Sequence, residues 1–174
     1  LQINQNAVDA HWGMGCSLLS RGTAAQAASE LRTAVDLVQR TPPETRLRRE
    51  RADYYATLAR ALGQLSRPEW TPADWNQVEV RFGQAMEAAT SDSQRARIHL
   101  DAASLYIGKE RDRSAVLPHL TAAINFQRDA AVRLRRAEVL VVNQRDRNAL
   151  RSDVSRDDRS MAYTDFTQAL LSEG

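Results

Sequence analysis

Apolar positions recur along most of the chain at spacings of three and four, the period of a helix with one buried face. Ala27, Leu31 and Ala34 show it early; Val78, Phe82 and Ala85, then Val116, Leu120 and Ala123, repeat it. The nearest approach to a strand is "AEVLVV" at 137–142, and it lies inside a longer helical pattern. Helix starts are marked as well. Thr23 with Gln26 reads as a capping box, and "TPAD" at 71–74 places a Thr cap before a proline at the first helical position. "SDSQ" at 91–94 and "SRDD" at 155–158 repeat the device. Stops fall at Gly22, at Pro42-Pro43 and around Pro68. The pattern predicts an all-α chain of about eight helices in four antiparallel pairs. Pro118 sits awkwardly in this scheme, and its missing N–H predicts a late helix start or a kink.

The pairs resemble one another. In the first, Met14-Gly15 is followed by Leu18, Gly22 turns the chain, and Ala27, Leu31 and Ala34 follow. The second offers Tyr55, Leu58-Ala59 and Leu62, then Val78, Phe82 and Ala85. The third offers His99, Ala102-Ala103 and Tyr106, then Val116, Leu120 and Ala123. The fourth opens with Ala137 and Leu140 and closes with Ala162, Phe166 and Ala169. Small residues let two helices approach closely while large ones fill the grooves beside them. This pattern resembles the tetratricopeptide repeat (TPR) family over about residues 8–172. The small residues at 15, 59, 103 and 137 step by 44, 44 and 34, against a family period of about 34. The excess falls around 41–50 and 66–75, with a further insertion near 145–157. The resemblance implies a right-handed α-solenoid, a TPR-like superhelix of four hairpins at about 8–40, 44–90, 93–127 and 130–172. Residues 1–7 form a lead-in, and 8–174 one repeat domain, expected to be part of a longer chain.

The resemblance also implies a function: a non-enzymatic protein–protein interaction module whose concave groove holds a peptide or helix of a partner. Carried over by register, the groove residues are Asp9, Trp12 and Cys16, then Ala56, Arg60 and Gln64, then Arg97, Leu100 and Ser104. On the fourth hairpin they are Leu134, Arg135 and Glu138. Trp12 has two readings, packing in a shifted register or an aromatic anchor for a partner, a role in which Trp is enriched. Some family members clamp a C-terminal carboxylate with lysine, asparagine and arginine; of the matching positions only Arg97 suits that role, so a different ligand is expected. Two alternatives stay open. The array packs against another domain of its parent chain or dimerises, or its arginine-rich helices bind nucleic acid, the last ranking lowest.

Composition narrows this picture. At 43% hydrophobic residues, the chain is too apolar for a disordered segment, and 7 Gly and 5 Pro are few enough to favour helix. The net charge is +2 from 24 basic and 22 acidic residues, and the only lysine is Lys109. Such arginine bias reads as GC-rich, bacterial coding. Arg48, Arg49 and Arg51, like Arg133, Arg135 and Arg136, are interleaved with acids, which describes solvated ion-paired faces better than a nucleic-acid footprint. The stretch "HWGMGCSLLSRG" at 11–22 lacks the third glycine and preceding strand of a dinucleotide loop. Its Cys16 has no base at helical neighbour spacing, since His11 lies five residues away. One cysteine and three histidines give no metal-ligand spacing, and no cofactor is expected. No apolar run is long enough to span a bilayer, and the first residues carry no signal-peptide pattern. The cytoplasm is the default compartment.

Overall fold

The computed structural model describes residues 5–42, 47, 50–66, 70–109 and 113–127, together with Arg133, Arg136, Met161, Thr164, Asp165 and Gln168. Six helices occupy these segments: α1 (Gln5–Ser20), α2 (Ala24–Gln39), α3 (Arg51–Gly63), α4 (Pro72–Ala88), α5 (Asp92–Gly108) and α6 (Arg113–Phe126). The described residues contain no strand, so the protein is all-α there. The helices fall within the first three predicted pairs. Most of the fourth, 130–172, lies outside the described residues, although the six isolated positions within it are helical. Residues 1–94 and 95–174 form two compact units.

In the first unit α1 packs on α2, α3 on α4, and α3 also against α2 and α1. The α1–α2 turn is a Schellman stop. Gly22, at φ +77, bonds its N–H to Leu19, and the Thr23 N–H reaches Leu18. The capping box expected of Thr23 and Gln26 does not form, because the Thr23 hydroxyl donates to the Leu18 carbonyl at 2.8 Å. The same side chain that would start α2 instead finishes α1. Gly15 is buried where the two helices are closest. A Cβ there would lie 2.5 Å from Leu31 Cγ and 3.3 Å from the Ala27 carbonyl oxygen.

Arg51 joins the hairpins. Its guanidinium donates to the carbonyls of Val38 (2.8 Å), Thr41 (3.0 Å) and Pro42 (2.6 Å), adding to the backbone bond that Val38 accepts from Thr41 and tying down the chain that leaves α2. Beside it, the Thr90 hydroxyl donates to Glu50 at 2.9 Å, tying the exit of α4 to the entry of α3. The predicted Thr71–Asp74 capping box is present, with Pro72 at the first helical position. Just outside it Trp70 stacks on Trp75, ring centroids 4.6 Å apart, as a hydrophobic staple across the box. Helix α3 is buried on most of its circumference, through Ala52, Tyr54, Ala56, Leu58, Ala59, Ala61, Leu62 and Gly63. Its small residues admit three neighbouring helices at once.

The second unit is built on Ala96, Ile98, Ala102, Ala103 and Tyr106 of α5 and Val116, Leu120, Ala123 and Ile124 of α6, all buried. Ser91 accepts from the Gln94 N–H at the start of α5, while the Gln94 side chain reaches past it to the Thr90 N–H. Pro118 lies inside α6, just past the first turn and exposed. There it withholds a donor from the Ser114 carbonyl, on the side of α6 open to solvent. Arg136 clamps Asp165 with two bonds of 2.6 Å and donates to Thr121 of α6. Asp165 is fully buried, so the pair replaces the water that both ions lose.

Candidate partner-binding surface

Asp9, Trp12 and Cys16 occupy α1 at helical spacing and share one face, all three half-buried. What holds that face is Tyr54 of α3, which is only 1% exposed. Its hydroxyl donates to Asp9 Oδ1 at 3.2 Å, and its ring meets Trp12 nearly at right angles, 78°, with centroids 6.3 Å apart. Such an edge-to-face pair fixes the indole while leaving part of it open. The structure therefore brings Asp9 and Trp12 together through a residue that the sequence pattern did not single out.

The α3 positions divide. Ala56 is buried at 6% exposure and so is closed to a partner. Arg60 and Gln64, one turn apart near the end of α3, are exposed. In the second unit Arg97 and Ser104 are exposed on α5 and Leu100 between them is half-buried. Leu134, Arg135 and Glu138 lie outside the described residues.

The remaining chemistry-bearing side chains sit elsewhere. His11 is half-exposed and bonds Glu30 of α2 at 2.7 Å. Cys16, the single cysteine of the chain, is half-buried. Among the described residues, no group of three or more His, Cys, Asp or Glu could hold a metal ion, and no helix is long and apolar enough to cross a membrane. An open depression of about 500 Å³ runs along the outer stripe of α6, lined by Leu117, Pro118, Thr121, Asn125 and Met161 among others. None of the sequence-predicted residues lines it. His99 of α5 and His119 of α6 approach to 3.0 Å between Nδ1 atoms, a pairing that sequence reasoning missed. The available signal was their place in the third repeat: His99 opens its first-helix pattern, and His119 adjoins Leu120 of the second.

No protein-family model matches the chain, and no curated protein matches it.

Proposed function

We propose that the chain is a non-enzymatic interaction module that holds an extended segment or helix of another protein on the surface built by α1 and α3. The carrying observation is Trp12, an aromatic side chain left partly open and braced edge-on by buried Tyr54. A braced indole loses little side-chain freedom on binding, so most of the area it buries counts toward affinity. Exposed Arg60 selects acidic groups on the partner, and Arg97 and Ser104 give the second unit a polar face of its own. The helix pairs and their repeated small–large pattern support a TPR-like right-handed solenoid as the scaffold. Stacked repeats of that kind are stiff, which again limits ordering on binding.

The test is a peptide library panned against the full chain, followed by titration of an enriched acidic, apolar peptide. Trp12→Ala is expected to weaken binding by about thirtyfold, roughly 2 kcal/mol, with helical content unchanged by circular dichroism. Arg60→Glu is expected to weaken it by a smaller factor that shrinks in high salt. Equal affinity of parent and Trp12→Ala for every enriched peptide, or no enrichment at all, would overturn the reading.

A further inference from the structure

The His99 and His119 rings are joined through Nδ1 at 3.0 Å, with centroids 5.2 Å apart. Each ring is also wedged: His99 stacks on Phe126 at 5.9 Å and 13°, and His119 meets the Tyr106 ring at 5.3 Å and 74°. Two imidazoles facing through Nδ1 need one N–H and one lone pair. The neutral pair satisfies this, and so does the pair with one extra proton. A second extra proton sets N–H against N–H at the same distance, with two charges in a half-buried site.

Among the described residues, no carboxylate is bonded to the pair to take up that charge. On the same side of α5 stand Asp92, two turns earlier, Arg95 and Tyr106. The Arg95 guanidinium lies 5.9 Å from the centre of the Phe126 ring, the ring that stacks on His99, and adds positive potential. Arg97 and Asp101 point from the other side of α5. On α6 the flanking residues Val116 and Ala123 are apolar and buried. Among the described residues beyond α6, Arg136 reaches it directly, with Asp165 and Arg133 grouped behind it. Arg136 is clamped to Asp165 and bonds Thr121, with Arg133 at 3.7 Å from the same carboxylate. No described carboxylate bonds either imidazole.

We propose that His99 and His119 form a proton-sensitive latch of the α5–α6 hairpin. One Nδ1–Nδ1 hydrogen bond closes it, and acid opens it by supplying the second extra proton, which the closed hairpin does not accommodate. Burial lowers both histidines from the usual 6.5, and the charge of His99 helps bring His119 to about 4. With both folded-state values depressed, the opened hairpin binds more protons below pH 6.5. The latch is therefore intact above that pH and is lost as pH falls toward 4. At pH 5 the full shift of His119 alone would favour opening about thirtyfold; solvent screening of a half-buried ring reduces this to about tenfold.

Hydrogen exchange of the full chain, resolved by segment at pH 7.5 and 5.0 and corrected for intrinsic rates, reads the latch directly. Protection in 92–126 is expected to fall about tenfold at the lower pH, while 5–39 changes little. Trp12, Trp70 and Trp75 all belong to the first unit, so tryptophan emission should hold steady across the same range. His119→Phe removes the titrating group and should abolish most of the pH effect; full retention of the effect in this variant would overturn the latch. If that variant does not fold, an NMR titration of the unmodified chain decides. Both imidazoles titrating well below 6.5 supports the proposal, and ordinary midpoints near 6.5 with unchanged protection refute it.

Discussion

Gly13 and Gly15 are two residues apart on the same helix, and the structure assigns opposite signs to the same substitution at each. Glycine in a helix interior costs about 1 kcal/mol relative to alanine, so either change to Ala begins with a gain of that size. At Gly13 a new Cβ meets nothing within 4 Å, and the gain stands. At Gly15 it lands 2.5 Å from Leu31 Cγ and 2.8 Å from Cδ2, against normal carbon contacts of about 3.5–4.0 Å. Leu31 is fully buried, with no solvent to retreat into, and the Ala27 carbonyl 3.3 Å away is backbone. Overpacking costs about 1–3 kcal/mol, and two contacts under 3 Å on a fully buried leucine place this one in the upper part of that range, about 2–3 kcal/mol. The net expectation is a gain of about 0.5–1 kcal/mol for Gly13→Ala and a loss of about 1–2 kcal/mol for Gly15→Ala. Urea unfolding followed by tryptophan emission measures the difference. With a slope of about 1.5 kcal/mol/M, the two midpoints should stand about 1–2 M apart. A Gly15→Ala variant as stable as Gly13→Ala would mean that Leu31 swings aside freely, and the close α1–α2 approach would lose its role as the reason for glycine.

Three further perturbations test other joints. Asp165→Ala leaves the Arg136 guanidinium buried without its carboxylate and should cost about 3–5 kcal/mol, read as a lower urea midpoint by circular dichroism. Arg51→Ala removes three bonds to the carbonyls that end α2 and should cost about 1–2 kcal/mol. Arg51→Lys should recover little, since one ammonium does not span Val38, Thr41 and Pro42 together, and a full rescue in the same unfolding assay would contradict the clamp. Thr71→Ala deletes one half of the capping box and should cost about 1 kcal/mol, with Thr71→Ser close to the parent; equal losses from both would place the effect elsewhere.

What could be read in advance was whatever depends on neighbours within about one helical turn. The spacing of apolar residues placed three helix pairs where they occur. The Thr71-Pro72 start with Asp74 closing the box, the turn at Gly22 and the small residue at 15 were legible in the same way. Each is a short-range demand: an orphan N–H, a positive φ, a helix that needs one apolar face. The Thr23 hydroxyl shows where this stops. It has two legitimate acceptor–donor options, and the turn geometry awards it to α1.

Longer-range choices were invisible for a related reason. Tyr54 and Tyr55 are adjacent and differ by about 100° around a helix. The repeat pattern pointed to Tyr55, yet Tyr54 is the buried one that braces Asp9 and Trp12. Because α3 is buried on most sides, its pattern hardly distinguishes one phase from another. The His99–His119 pair spans 20 residues and two helices, and it depends on how far each helix is rotated toward the other. Within the first three pairs, the sequence by itself determined which segments are helical, several of their starts and stops, and that each has apolar positions to bury. Only the tertiary structure decided which side chains meet. Helix rotation and crossing are set by the summed fit of many buried groups, each worth little alone, and no local pattern carries that sum.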